Sequence, residues 1–229
     1  MIKIVITKPK FFQGEATLVT KFFESGLEVL HVRKPKATAM EIKSFLMSIP
    51  QTYWNRIVLH SHHNLAIQYK LKGIHLTGAV RSKRIKKWYL SRYLKWKYPT
   101  LHVSTSFHSL APLYQDRTGY DYIFISPVFD SISKGGYQSA FSETGLKSAI
   151  AQCVHKVIAL GGVEPSKIGE IARMGFAGFA VLGAIWDSED PQSTFEQIKY
   201  ADAQDDNSTM LVDPEGILHI KKVTYHGSK

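Results

Sequence analysis

The sequence has almost no cysteine and no long hydrophobic run. Cys153 is the only cysteine among its 229 residues, which excludes a disulfide framework and fits a reducing compartment. No stretch reaches the about 20 consecutive apolar residues that a membrane-spanning helix needs. The first eight residues are too few and too charged for a signal peptide, and they predict a strand instead. We therefore expect a soluble, cytoplasmic protein.

Acidic residues are scarce relative to basic ones. The chain has 29 Lys and Arg against 19 Asp and Glu, a net charge of +10. This surplus suits phosphorylated ligands or nucleic acid, although charge alone decides neither. The apolar content of 44% is ordinary for a globular protein, and the length allows one large α/β core.

Apolar runs and helical patterns alternate along the chain. The runs predict eight strands, at 2–6, 27–32, 57–59, 73–76, 101–105, 122–125, 157–160 and 179–182. Helices are predicted between them, among them 15–25, 40–47, 65–70 and one that begins at Ser109. Because no long linker interrupts this alternation, we predict one (β/α)8 TIM barrel over residues 1–200. Its functional residues belong at the carboxyl ends of the strands.

Two segments exceed a minimal barrel. In residues 81–97 aromatic residues recur at helical spacing among lysines and arginines, which predicts an amphipathic helix. We expect its aromatic face to pack on the barrel, and we therefore do not expect the basic face to bind nucleic acid. Residues 201–229 form a separate tail, in which a Pro-Glu-Gly turn at 214–216 is compatible with a β-hairpin.

Two glycine-ended strands close the predicted barrel. Gly161 and Gly162 follow the seventh strand, and Gly183 and Ala184 follow the eighth. Backbone N–H groups without side chains beside them can bind an anion, and barrels often hold phosphate at these two loops. The alternative is that the glycines only serve the turn. We predict a phosphate site here.

Hydroxyls, imidazoles and cations follow the other strands, with few carboxylates. Such a set suits phosphate binding and proton transfer better than Mg²⁺, which prefers oxygen ligands. His75 is expected to be a hydrogen-bonded core histidine, and a metal site made of histidines alone lacks a spacing signature. The candidate residues are His31, Arg33, His60, Ser106, His108, Ser131, Ser133 and Lys134.

These strand ends resemble those of the thiamin-phosphate synthase/TenI family of (β/α)8 barrels. The matching stretches follow the same order in the chain: His31-Val-Arg-Lys, Gly73-Ile-His-Leu, Ser106-Phe-His-Ser, Asp121-Tyr-Ile-Phe-Ile-Ser-Pro-Val-Phe, Ser131-Ile-Ser-Lys and the two closing strands. The resemblance covers the chain to about Asp190.

The resemblance implies two alternative reactions. The synthase joins a pyrimidine to a thiazole phosphate and releases pyrophosphate, with Mg²⁺ held by aspartates after strands 3 and 4. Here those positions are Ser61, or its neighbour His62, and Val80. The resemblance also implies a basic residue two places after Arg33. This chain has Pro35 there, and Lys34 or Lys36 is the candidate substitute.

The TenI branch is a thiazole tautomerase that moves a proton without a metal. Its strand-6 histidine corresponds here to Pro127, so His108, His60 or His31 has to carry the proton. Histidine suits this step because its ordinary pKa lies near neutral pH.

We therefore expect a thiamin-biosynthesis enzyme that binds a phosphorylated thiazole. Because the Mg²⁺ aspartates are absent, a metal-independent tautomerase without cofactor is favoured. The alternatives are a thiamin-phosphate synthase that needs Mg²⁺ and pyrimidine pyrophosphate, and a non-catalytic sensor of thiamin metabolites. In the enzyme hypotheses Lys134 closes over the ligand, Arg33 binds an anionic group, and Ser106, Ser131 and Ser133 contact the substrate. No membrane partner is expected, and homo-oligomerisation is left open.

Overall fold

The computed structural model describes residues 1–130 and 141–207, and its centre is a closed barrel of eight parallel strands in sequential order. Each strand pairs with the next, and β8 returns to pair with β1, with Ile4 opposite Ala180. The predicted TIM barrel is confirmed. The strands are β1 (Ile2–Ile6), β2 (Val29–Val32), β3 (Ile57–Leu59), β4 (Gly73–Leu76), β5 (His102–Phe107), β6 (Tyr122–Ile125), β7 (Lys156–Leu160) and β8 (Gly178–Val181).

The strands are apolar on both faces because both faces are covered. Side chains such as Ile4, Val58, Phe124 and Ile158 point inward and fill the lower lumen of the barrel. Their neighbours along each strand point outward and pack under the surrounding helices. Successive residues of a strand therefore belong to two separate cores.

The helices cover the outside of the barrel. None of those described is long and apolar enough to cross a membrane. They are α1 (Glu15–Glu24), α2 (Ala39–Met47), α3 (His63–Gln68), α4 (Gly78–Arg81), α5 (Arg84–Trp88), α6 (Leu94–Lys97), α7 (Ala111–Gln115), α8 (Glu143–Gln152), α9 (Ile168–Arg173), α10 (Gly183–Trp186) and α11 (Pro191–Asn207).

Most predicted bounds agree with the structure within two residues. At the start of α2, the Thr38 side chain accepts from the Glu41 N–H while the Glu41 side chain accepts from the Thr38 N–H, a capping box. The strand predicted at 101–105 continues to Phe107 as β5. Ser106 therefore lies within the strand, where alternation fixes the direction of its side chain.

The predicted orientation of the basic helix was wrong. Leu90 and Leu94 are buried against the barrel, while Ile85 and Trp96 are 84% and 77% exposed. A π-helical turn at Tyr89–Tyr93 joins α5 to α6. At the regular helical spacing Leu90 and Leu94 already lie on the face opposite Ile85 and Trp96, and it is this leucine face that packs on the barrel. Exposed aromatics thus accompany the basic residues, and the packing argument against nucleic-acid binding no longer holds. The expectation that nucleic acid is not a partner stays a prediction.

The chain continues as a helix past residue 200. Helix α11 ends at Asn207, so part of the predicted tail belongs to the helical layer. The buried carboxylate of Asp202 accepts from the Met1 amino group at 3.1 Å and from Lys3 Nζ at 2.9 Å. This contact fixes the start of β1 against the last helix. The predicted hairpin lies outside the described residues.

Candidate active site

Three imidazoles lie together in the lumen near the carboxyl ends of β2, β3 and β4. His31 is buried in β2, His60 follows β3, and His75 is buried in β4. His31 Nδ1 lies 2.9 Å from His60 Nε2, and the rings of His60 and His75 stack with centroids 4.1 Å apart. Two of the candidate residues, His31 and His60, are thus in direct contact. His62 points elsewhere, and its Nε2 donates to the Ala37 carbonyl at 2.8 Å.

Hydrogen bonds link these rings to hydroxyl groups. His31 Nε2 lies 2.7 Å from the Tyr122 hydroxyl, and Tyr122 pairs across the sheet with Ser104. Ser104 Oγ lies 3.0 Å from His75 Nδ1, and Ser106 Oγ lies 3.2 Å from His75 Nε2. We call these six residues the lumen chain; they form two hydrogen-bonded series, His60–His31–Tyr122 and Ser104–His75–Ser106.

Burial keeps the lumen chain uncharged at neutral pH. Loss of hydration lowers the pKa of His31 and of His60 well below the ordinary value, and neighbouring His75 adds to both shifts. Burial likewise lowers the pKa of His75 to about 3, with further contributions from His63, Arg81 and Arg33. Burial also raises the pKa of Tyr122. Neutral imidazoles and hydroxyls can each donate and accept one hydrogen bond, as this network requires.

The residues present do not fit Mg²⁺. Neither Ser61 nor Val80, at the positions the resemblance assigns to aspartates, offers a carboxylate. Within residues 1–130 and 141–207 the only close group of three or more metal-ligating side chains is His31, His60 and His75. Imidazole is a poor Mg²⁺ ligand.

Arg33 and Lys34 diverge after β2. Arg33 is exposed at the mouth and close enough to His60 and His75 to lower the pKa of both. Lys34 is buried, and its Nζ donates to the Glu15 carboxylate at 2.6 and 2.7 Å and to the Lys10 carbonyl at 3.0 Å. Lys34 is therefore not available to replace the basic residue that the resemblance places at position 35. Arg33 and the exposed Lys36 are the cations that the loop after β2 offers to a ligand.

The loop after β5 carries His108. Its ring is exposed, and Nδ1 donates to the Ser126 carbonyl at 2.9 Å. Because a carbonyl only accepts, this bond leaves Nε2 of the neutral ring as an acceptor. His108 has no hydrogen bond to the lumen chain in the described residues.

Gly161 and Gly162 have a steric reason to be glycine. Their φ angles are +90° and +66°, where side chains are strained. A Cβ on Gly161 would lie 2.9 Å from Pro127 Cα, and one on Gly162 would lie 2.6 Å from the Asp130 carbonyl oxygen. The turn alternative thus accounts for both glycines without a ligand. Their N–H groups donate to no acceptor in the part of the chain that the structure describes, so the predicted phosphate site stays compatible with the geometry.

The geometry after β8 is also compatible with phosphate binding, because Gly183 and Ala184 begin α10 there. The first N–H groups of a helix have no partner within it. Ser131, Ser133 and Lys134, predicted to bind substrate, lie outside the described residues.

Sequence analysis missed half of the lumen chain. Tyr122 and Ser104 were counted only as strand residues, and His75 was expected to be an ordinary core histidine. Both of its ring nitrogens are indeed bonded, but its partners belong to the site. The usable signal was polar residues at alternating positions: Ser104 and Ser106 two apart in β5, level with Tyr122 and Phe124 of β6.

Comparisons with known proteins agree with this architecture. A family model described as thiamine monophosphate synthase matches residues 4–185. A thiamine-phosphate synthase of Limosilactobacillus fermentum is 26% identical over 194 residues, which cover 84% of this chain and 86% of that protein. The corresponding protein of Chlamydia caviae is 25% identical over 177 residues, with 76% and 80% covered.

Solved structures give the same result. A crystal structure of thiamine phosphate pyrophosphorylase from Bacteroides thetaiotaomicron superposes with a TM-score of 0.72 at 33% identity, and the match covers 88% of this chain and 97% of that one. The Pyrococcus furiosus thiamine phosphate pyrophosphorylase has a TM-score of 0.71 at 20% identity, with 89% and 96% covered. At that identity the likeness supports the fold alone.

Proposed function

Because this chain belongs to the thiamin-phosphate synthase/TenI family, we propose that it moves a proton within a phosphorylated thiazole, as a TenI-type tautomerase does. It is a thiamin-biosynthesis enzyme by family. The choice between the two reactions of the family rests on the side chains of this chain's own site.

The observation that carries the proposal is the lumen chain. Its neutral imidazoles lie where a barrel binds its substrate, at the carboxyl ends of the strands. His60 is the partly exposed imidazole of the lumen chain. Its Nε2 is hydrogen-bonded to His31. We assign His60 as the group that exchanges a proton with the thiazole. His108, whose Nε2 is an acceptor, is the second mouth imidazole and the competing assignment.

The remaining candidate residues bind the substrate in this proposal. The N–H groups of Gly161, Gly162, Gly183 and Ala184 hold the phosphate, and Arg33 binds an anionic group of the ligand. Ser106 orients the ring. Each uses a donor or cation at the mouth that has no competing acidic partner in the described ranges.

Thiamin-phosphate synthase is the second candidate, and the names of the relatives favour it. Pyrophosphate departure develops negative charge that Mg²⁺ normally neutralises. The side chains at Ser61 and Val80 do not support such an ion. We therefore derive no step through it, and the relatives' activity remains the argument for this candidate.

One pair of assays separates the two reactions. Purified protein is incubated with the non-aromatic thiazole phosphate tautomer in the presence of EDTA, and separately with pyrimidine pyrophosphate and thiazole phosphate, with and without Mg²⁺. We expect aromatisation that survives EDTA and is lost in His60→Gln. Metal-dependent formation of thiamin phosphate without aromatisation would refute the tautomerase. Loss of aromatisation in His108→Gln but not in His60→Gln would move the assignment to His108.

Binding of thiazole phosphate tests Arg33 directly. A hydrogen bond to a charged group contributes about 1.5–3 kcal/mol, so Arg33→Ala should weaken binding in calorimetry by roughly 10- to 100-fold. Arg92→Ala removes an exposed arginine from the outer helix and is the matched control. Equal affinities for the two variants would remove Arg33 from the site.

A further inference from the structure

We propose that the exposed face of residues 84–97 docks on an anionic lipid surface, with the helix lying in the plane of the lipid headgroups. These residues form α5, the π-helical turn and α6, one continuous helical segment on the outside of the barrel. The sequence lacks a spanning segment and so predicts no membrane partner, but a helix that lies on a bilayer needs no such segment. The proposal does not depend on the reaction that the barrel catalyses.

The apolar side chains of this segment face solvent. Ile85 is 84% exposed, Trp88 59%, Tyr89 46% and Trp96 77%. Ile85, Trp88 and Tyr89 follow the i, i+3, i+4 spacing of one helix face, and the exposed Arg92 and then Trp96 continue it at intervals of four residues. We call these five residues the outer face. A contiguous exposed apolar patch on a folded protein marks a contact with a partner or a membrane.

Cations flank the outer face. Residues 81–97 contain eight lysines and arginines and no acidic residue. Arg84 and Lys86 directly precede and follow Ile85, so they leave the helix about 100° to either side of it. Long cationic side chains beside an apolar face reach lipid phosphates while the apolar groups enter the bilayer. Lys87 and Lys95 are paired with aspartates. The exposed cations without an ion pair in the described ranges are Lys83, Arg84, Lys86, Arg92 and Lys97.

This surface is formed before any partner binds. Leu90 and Leu94 pack the opposite face of the helix on the barrel and are 5% and 3% exposed. Just before α5, Arg81 donates to the Thr105 hydroxyl at 3.1 Å and to the Ser106 carbonyl, which fixes the start of the segment to β5. Docking therefore requires no folding of the helix, and the ordering entropy that a disordered segment loses on binding is not lost here.

Two other occupants fit the outer face less well. A second copy of this chain would bring the same cations against one another in a two-fold contact, and like charges oppose such a contact. Single-stranded nucleic acid needs open ring faces on which its bases can stack. Tyr93 stacks on both Trp88 and Tyr89, with centroids 6.4 and 5.3 Å apart, which covers one face of each ring. The aliphatic Ile85 offers no ring at all, whereas a bilayer accepts aliphatic and aromatic groups alike.

Vesicle sedimentation of the full chain tests the cations. We expect binding to phosphatidylcholine vesicles that contain about one third phosphatidylglycerol, little binding to phosphatidylcholine alone, and loss of binding as salt is raised. Each cation near an anionic bilayer contributes about fivefold in affinity, so Arg84→Gln with Lys86→Gln should weaken binding about 25-fold. Lys21→Gln with Lys43→Gln removes the same charge from two other exposed lysines and is the matched control. Equal effects of the two pairs would overturn the proposal.

Insertion of the apolar side chains is a second measurement. Trp96→Ser should weaken vesicle binding at least about tenfold, because the indole no longer leaves water. Met40→Ser is its control, since Met40 is also 77% exposed. Phosphatidylcholine brominated along its acyl chains should quench the tryptophan fluorescence of the bound parent protein, and Trp88→Phe with Trp96→Phe should remove the quenching while binding is kept. Binding of the parent without quenching would show electrostatic adsorption only and would overturn docking through the outer face.

Two further results would overturn the proposal in favour of another occupant. Tighter binding to a single-stranded oligonucleotide than to the anionic vesicles at equal salt, weakened by Trp96→Ser, would assign the face to nucleic acid. A dimer in light scattering that Trp96→Ser abolishes would assign it to a second copy of the chain. Every substituted side chain is exposed, so the variants should fold as the parent does, which circular dichroism checks.

Discussion

Acidification should unfold this barrel through its buried histidines before the carboxylates titrate. His31 and His75 are 0% and 3% exposed, and burial lowers the pKa of each, for His75 to about 3. In the unfolded chain both have an ordinary pKa of about 6.5. The unfolded state therefore binds more protons below pH 6.5, so the free energy of unfolding is complete above that pH and falls as the pH drops toward 3.

The size of this effect follows from the number of rings. Between pH 6 and pH 5 each unfolded histidine is about 90% protonated, while the two native rings stay neutral. At 1.36 kcal/mol per proton and pH unit, the two contribute a slope of about 2.5 kcal/mol per pH unit. His60, which is partly exposed, adds a smaller amount. Aspartate and glutamate side chains titrate mainly below this window.

Denaturant unfolding at several values between pH 5 and 6 measures the slope. His31→Gln should lower it by about 1.2 kcal/mol per pH unit, because glutamine takes up no proton. Tyr122→Phe is the control: it removes a hydrogen bond of the same network but no imidazole, so stability should fall at every pH with the slope preserved. An unchanged slope in His31→Gln would show that this ring is not held neutral, which would contradict the uncharged lumen chain.

Two predictions concern stability elsewhere. Lys34→Met should destabilise the protein by about 3–5 kcal/mol, because it leaves the Glu15 carboxylate buried without its partner. Addition of Glu15→Leu should restore most of this loss, as measured by urea unfolding. Equal stability of the single and the double variant would contradict a coupled pair. Gly162→Ala should cost about 1–3 kcal/mol from strain at positive φ and the clash with Asp130. Gly119→Ala, which meets nothing within 4 Å, should leave the melting temperature nearly unchanged, and a similar shift in both variants would refute the steric argument.

The chain by itself determined the barrel. Its alternation of short apolar runs with helical patterns is local information, and local patterns predict strands such as Ile57–Leu59 and Tyr122–Ile125 at their observed bounds. The order of polar residues after each strand also identified the family. The basic helix shows the limit of such patterns, because a helical period tells which residues share a face but not which face packs on the barrel.

Only the tertiary structure decided how the polar residues combine. His31, Ser104 and Tyr122 are far apart in sequence, and their contacts depend on the register between neighbouring strands and on closure of the barrel. The same is true of Lys34 in the loop after β2, whose partner Glu15 begins helix α1. A sequence indicates which groups are present near the mouth. The strand register decides which of them are hydrogen-bonded to one another.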